Sequence, residues 1–226
     1  YNEIYILLQV LNLTIYTPSD FILPSRKSKY MPTGDDEEYA GLTVNGRELG
    51  IRKLMSMNLL KRLESSVNSF RLTLGRILNI ISTTIEKIDK LESGFSVSHI
   101  TVDDYDLTDG LDLEEQEDIF IGGKKSQIAL EDMDYIAWKK YLQSDAEVLQ
   151  KLLSMLEDIT PQHDSKLLQL MDDLRYKFAN PINGNNKKVI IFTAFSDTAE
   201  YLYDNLSGQI LEEYNLHTAL ITGSSE

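Results

Sequence analysis

The sequence predicts a mainly α-helical protein built on long antiparallel helices, followed at its C-terminal end by an incomplete parallel α/β unit. Three observations predict it. Apolar residues keep an alternating three-four step from about Leu49 to Leu91, the signature of a long helix with one buried seam. A second stripe, Leu149, Leu152, Leu153 and Leu156, is spaced to lie back on that helix. The run Val189, Ile190, Ile191, Phe192 is continuously apolar, as expected of a parallel strand covered on both faces.

Residues 1 to 16 place Ile4, Leu8, Leu11 and Ile15 at helical spacing. Thr17-Pro18 ends the pattern, because a residue before proline is pushed out of the α region. From Pro24 to Gly50, two prolines, four glycines and mixed charges show no sustained period, which predicts a mobile loop. Residues 1–46 therefore read as a short helix and a loop that close an upstream region.

A helical region is expected over 47–180. Its first long helix carries Leu63, Val67, Phe70, Leu74, Ile77, Ile81, Ile88 and Leu91 along the seam, with Thr84 as the polar interruption. Gly75 lies inside it at a cost of roughly 1 kcal/mol relative to alanine, which predicts close packing or a bend there. Ser93-Gly94 ends the helix and an acidic loop is expected over 100–123, closed by Gly122-Gly123. A second helical region runs from about 126 to 156. After Thr160-Pro161, a further helix spans 164 to 178, with Asp164 as its N-cap and Leu167, Leu168, Leu170, Met171, Leu174 and Phe178 on its apolar side.

Asn180-Pro181 and the Asn/Gly-rich stretch 183–186 form a linker, and the character of the chain changes after it. The apolar strand is followed by Asp197 and Glu200, a capping box, and by Ala199, Leu202, Leu206 and Ile210 on the buried face of a helix. A second strand is expected over Thr218 to Thr222, completing one right-handed βαβ unit. Two strands and one helix leave sheet edges and one face uncovered. Residues 187–226 are thus read as the truncated start of an α/β domain. A chain that begins inside a helix at Tyr1 and stops just after a strand is read as part of a longer one.

Charge and composition narrow the function classes. The chain has no cysteine, which excludes disulfides, a thiolate nucleophile and the usual structural zinc site. No run approaches the roughly 18 apolar residues that span a bilayer, and no basic-then-apolar leader is present, so a cytoplasmic protein without membrane contact is expected. A net charge of −14 argues against coating nucleic acid by bulk electrostatics. That average hides an asymmetry. Residues 47 to 76 carry Arg47, Arg52, Lys53, Lys61, Arg62, Arg71 and Arg76 against only Glu48 and Glu64, whereas residues 103 to 118 carry nine acids and no base.

Four stretches, DSKLLQLMDDL at 164–174, KKVIIFTAF at 187–195, DTAEYLYDNL at 197–206 and ALITGSS at 219–225, follow one another in a distinctive order. This order resembles the entry into the second RecA-like domain of Swi/Snf-type superfamily-two helicases. NLLKRLESSVNSFRLTL at 58–74 is similar to the helical region between the two RecA-like domains in bacterial members of that branch. The resemblance covers about half the chain. It implies a DNA-dependent ATPase, a helicase or translocase, in which ATP and Mg are bound with the help of an upstream RecA-like ATPase domain of the same chain. The sequence contains no Gly-x-x-x-x-Gly-Lys-Ser/Thr loop, no Asp-Glu pair closing an apolar strand to hold magnesium and no late Gln/Arg-rich motif. No catalytic or metal-binding residue is assigned within the chain, and it is expected to be inactive toward ATP by itself.

The resemblance implies that the strand-end turns face the nucleic-acid backbone, in line with ligand binding at the carboxyl ends of strands in open α/β sheets. Thr193, Ser196, Gly223 and Ser224 are the residues placed to offer hydroxyls and backbone N–H groups to phosphates; the competing reading is of ordinary turn and cap residues. Arg52, Lys53, Lys61, Arg62 and Arg71, with Arg76, are candidates for a DNA-facing or domain-docking basic face, against the plainer reading of a solvated helix face.

Other patterns carry less. Asp104, Asp106, Thr108 and Glu115 mimic part of a calcium loop, but the required glycine falls one position late, at Gly110. His99, His163 and His217 have no ligand spacing, and no nucleophile-elbow motif supports a hydrolase. Tyr135, Trp138 and Tyr141 read as a packing cluster rather than a base-stacking platform. The alternative function is a non-catalytic helical interaction module in which the seam binds a partner helix.

Overall fold

The computed structural model describes residues 2–30, 44–94, 100–101, 127–182 and 184–223. They are mainly helical. The helices are α1 (Asn2–Val10), α2 (Lys27–Tyr30), α3 (Val44–Ser65), α4 (Val67–Glu92), α5 (Tyr135–Leu156), α6 (Ser165–Ala179) and α7 (Ser196–Tyr214). A two-residue antiparallel ladder pairs β1 (Ile100–Thr101) with β2 (Gln127–Ile128). The chain divides into two compact units, one of Tyr1–Leu60 with Thr73–Ser154, the other of Lys61–Leu72 with Met155–Glu226. The acidic run 103–118 and the central part of the predicted 24–50 loop lie outside the described residues.

In the first unit the stripe expected over residues 1 to 16 is buried at Ile4, Leu11 and Ile15, but the helix that should carry it stops at Val10. A tertiary contact ends it. Leu13 takes a left-handed conformation (φ 54°), and the buried carboxylate of Asp145, on α5, accepts from Asn12 N at 2.9 Å, Thr14 N at 2.8 Å and Thr14 Oγ1 at 2.8 Å. These bonds replace helical ones, so the segment continues as short helical turns at Thr14–Tyr16 and Pro18–Phe21. Burial pushes the Tyr16 phenol upward from its ordinary pKa. Trp138 Nε1 donates to Thr14 O at 3.1 Å, and the Phe21 ring lies 6.3 Å from Trp138 and 5.6 Å from Tyr141. Trp138 therefore packs as the sequence predicts.

A second buried carboxylate explains why α3 starts at Val44, earlier than its periodicity indicated and across Gly46 and Gly50. Glu48 accepts from Ser19 N at 3.0 Å and Ser19 Oγ at 2.6 Å, and this long-range anchor offsets the weak helix propensity of the two glycines. Further along the unit, Asp132 collects Arg26, Lys29 and Tyr30. A bridge between Ile22 and Met133 lies beside that cluster.

The single helix expected from Leu49 to Leu91 is two helices. The break falls at Ser66 rather than at Gly75, which is an unexceptional helical residue. Ser66 Oγ accepts from Asn68 N at 3.2 Å and Ser69 N at 3.5 Å, so this serine caps the start of α4. The seam is buried through its middle, where Phe70, Leu74, Ile81, Thr84 and Ile88 are all 0% exposed and Ile77 is 2%, while Val67 and Leu91 at its ends are half-buried. Thr84 is accommodated because its hydroxyl donates to Ile80 O at 2.8 Å. Leu149, Leu152 and Leu156 of α5 are buried as well, while Leu153 is half-buried. Lys139, near the start of α5, pairs with Asp89 at 2.5 Å and Glu92 at 2.6 Å at the end of α4, the arrangement of antiparallel neighbours. The two carboxylates hold the Lys139 ammonium above its usual pKa by hydrogen bonding.

In the second unit α6 and α7 pack through Leu167, Met171, Leu174, Phe178, Leu206 and Ile210. Asp164 caps α6 as predicted, its Oδ1 accepting from Lys166 N at 3.0 Å and Leu167 N at 3.2 Å. The expected βαβ unit is realised only in its helix. Residues 186–195 and 215–222 on either side of α7 have no ladder partner among the described residues. A strand exists by its neighbour's hydrogen bonds, and here no neighbour is in place. The apolar side chains meant for a sheet interior stay open to solvent, with Ile190 77%, Phe192 89% and Ile221 84% exposed.

Candidate nucleic-acid interface

Of the residues expected to meet nucleic acid, Thr193, Ser196 and Arg62 lie at the start of α7. Phe195 occupies the N-cap position in an extended conformation (φ −130°, ψ 137°), and no side chain caps the helix there. Thr198 N and Ala199 N both donate to Phe195 O at 3.1 Å, which sets the first turn. Thr193 Oγ1 is turned inward and donates to Phe195 O at 2.9 Å, while Ser196, the first helical residue, is exposed. The amides of an uncapped helix start are a natural place for an anion.

Asp197 does not act as the N-cap of a box with Glu200, contrary to the sequence expectation. It lies one residue inside α7, is 9% exposed, and accepts from Arg62 Nη1 at 2.8 Å. Glu200 is exposed. The carboxylate is instead engaged by a buried guanidinium, which pairs the two charges inside the protein.

Arg62 is itself the largest departure from the expected basic face. It is 1% exposed, donates to Ser69 Oγ at 3.0 Å, and its guanidinium lies over the Phe195 ring at 4.5 Å. Arg71 is likewise committed to protein, with Nη2 donating to Leu156 O and Ile159 O at 2.6 Å each, at the end of α5. Leu156 is the last residue of α5 and Ile159 lies just beyond it, so the guanidinium meets main-chain carbonyls at the negative end of that helix dipole. Lys61 is exposed on α3. Arg52, half-buried, and Lys53, exposed, belong to the part of α3 in the other unit. Gly223 stands in a turn after the second extended run, and Ser224 lies outside the described residues.

Beside this start lies a cavity of about 270 Å3, lined among others by Ser65, Asp164, Lys166, Thr193, Thr198 and Tyr201. The Ser65-Ser66 break and the first turns of α6 and α7 contribute to its wall. Ser65 Oγ and Thr198 Oγ1 are 3.1 Å apart, Lys166 Nζ donates to Glu64 O, and Tyr201 OH donates to Asp164 Oδ2 at 3.1 Å. Burial, followed by the Asp164 charge, pushes the Tyr201 phenol up to about 12. The Tyr201 hydroxyl on the cavity wall is therefore in its neutral form near neutral pH and acts there as a donor to Asp164. Among the described residues no group of histidines and carboxylates is arranged to hold a metal ion.

Sequence reasoning counted Arg62 as one charge in a basic run and missed its placement. The signal was present in the helical period: Ile51, Met55, Leu59 and Leu63 form the buried stripe of α3, with Asn58 and Arg62 on the same side. A basic residue on an apolar stripe requires an acidic partner elsewhere in the chain. No protein-family model, no curated protein and no solved structure matches the chain.

Proposed function

We propose that the chain is the coupling portion of a Swi/Snf-type ATP-dependent DNA helicase or translocase, comprising the helical region between two motor domains and the opening of the second, RecA-like domain. The observation that carries the reading is the order of elements in the second unit: an Asp164-capped helix, the extended run 187–195, an uncapped helix start at Ser196, and a second extended run ending at Gly223. In this reading the two runs are strands of a parallel sheet, α6 and α7 cover one face, and the exposed Ile190, Phe192 and Ile221 are its interior. Further strands supplied by a longer chain would pair their backbones. ATP and Mg belong to an upstream RecA-like ATPase domain, since this sequence has no phosphate-binding loop of its own.

Thr193 and Ser196, with the backbone at the α7 start, are the groups assigned to the DNA backbone, in the neutral, positioning manner of phosphate contacts that carry no sequence information. Arg62 and Arg71 are reassigned to holding the protein together, and Lys53 and Lys61 remain the exposed cations of the original basic run. A helical interaction module would have to use another face, because the seam it relied on is already buried.

Titration of a short duplex DNA into the chain at low salt, followed by backbone amide resonances, tests this assignment locally even if binding is weak. Shifts concentrated at residues 193–197 support it. Saturable shifts elsewhere with none at 193–197, or no shifts at all, count against it.

A further inference from the structure

We infer that the buried Arg62–Asp197 pair is a latch that makes the elbow between α3 and α4 and the first turn of α7 open and close as one unit. The elbow and the helix start are far apart in sequence; three contacts join them and a fourth closes the elbow itself. Arg62 Nη1 donates to Asp197 Oδ2 at 2.8 Å, the guanidinium covers the Phe195 ring at 4.5 Å, Ser65 Oγ meets Thr198 Oγ1 at 3.1 Å, and Arg62 also ties back to Ser69 Oγ at 3.0 Å across the Ser66 break.

The physics of a buried pair makes such a joint two-state. Partial separation leaves two charges in a poorly solvated interior, which is strongly unfavourable, whereas full separation returns both to water. Each separated charge also sits where its own helix favours it. Asp197 lies in the first turn of α7, and Arg62 lies in the last turn of α3, so the helix dipoles stabilise both in the open form. The elbow keeps its own support without the latch, since Ser66 caps α4 through Asn68 N and Ser69 N. Intermediate positions are thus disfavoured while both ends are tolerated, the condition for a switch rather than a gradual bend. The other fastenings of the elbow, Arg71 to Leu156 O and Ile159 O and Lys166 to Glu64 O, end on neutral carbonyls and carry no such all-or-none character.

The latch stands apart from the DNA reading and can be tested on the 226-residue chain. Native-state hydrogen exchange is measured for amides 62–70, 196–200 and 168–178. In the parent chain the first two segments are expected to share one opening rate. Asp197→Asn, which leaves the arginine buried without its counter-ion, is expected to speed both in step by about a hundredfold and to leave 168–178 unchanged. The charge-free double variant Arg62→Met/Asp197→Leu is expected to recover the protection of both. Should Asp197→Asn fail to fold, Asp197→Glu keeps the charge and is expected to speed both segments in step by a smaller factor. Acceleration of the α7 start alone, uniform acceleration of all three segments, or unequal rates in the parent chain would overturn the latch.

Discussion

Two carboxylates show how single residues fix this structure. Asp145 sits on α5, 1% exposed, and its three bonds to residues 12–14 decide where α1 ends. Replacement by asparagine removes the charge and points an amide donor toward N–H groups, so Asp145→Asn is expected to lose roughly 3 kcal/mol of stability in urea titrations. Asp132 behaves differently because it is a titration partner as well as an anchor. The Lys29 hydrogen bond, then that of Tyr30, holds its carboxyl below the usual 3.8. A depressed folded-state pKa gives stability that is present above the unfolded value and is lost as pH falls through the folded one. Acid unfolding of Asp132→Asn below about pH 4 should therefore be shallower than that of the parent chain, with the two curves parallel near neutrality. If the two acid limbs have the same slope, the cluster does not hold the segment 26–30. None of these anchors was legible in the sequence, because each joins residues many positions apart. Asp164 was legible, because a cap is local and its hydrogen-bond partners lie two and three residues on.

At the scale of elements, hydrophobic periodicity identified the buried face of nearly every helix and misplaced several ends. The seam of α4 and the apolar sides of α6 and α7 follow from spacing, except that Leu168, expected on the apolar side of α6, is 48% exposed. The break at Ser66 was hidden because α3 and α4 carry the seam across it almost in register, so the apolar pattern hardly changes. The cap was visible only as one serine in the pair Ser65-Ser66. Ser66→Ala is expected to reduce stability by about 1 kcal/mol, read from the urea midpoint, because two amides at the start of α4 lose their acceptor. An unchanged midpoint would mean that packing alone holds the elbow.

The molecule as a whole combines helices that are complete with two extended runs that are not. Apolar burial closes the helical parts. The composition of 187–192 marks it as a strand, but a sheet depends on partners that local sequence does not contain, so the predicted βαβ unit is not formed by these residues. A consequence follows for Phe192, which is 89% exposed. Phe192→Lys is expected to leave the stability of this chain within about 0.5 kcal/mol of the parent and to reduce its self-association in size-exclusion chromatography. In a longer polypeptide with a completed sheet, the same substitution would bury a charge and lower the unfolding temperature markedly. A large stability loss in the short chain would show that the side chain is already packed there.

The most direct test of the coupling role is ATP hydrolysis by a polypeptide that joins this chain to the upstream ATPase domain proposed for it, measured with and without duplex DNA, beside the 226-residue chain. Hydrolysis stimulated by DNA in the longer polypeptide, loss of that stimulation in Thr193→Val/Ser196→Ala with basal hydrolysis retained, and no activity in the short chain is the predicted result. A longer polypeptide that hydrolyses ATP at the same rate with and without DNA, or does not hydrolyse it at all, would contradict the motor account.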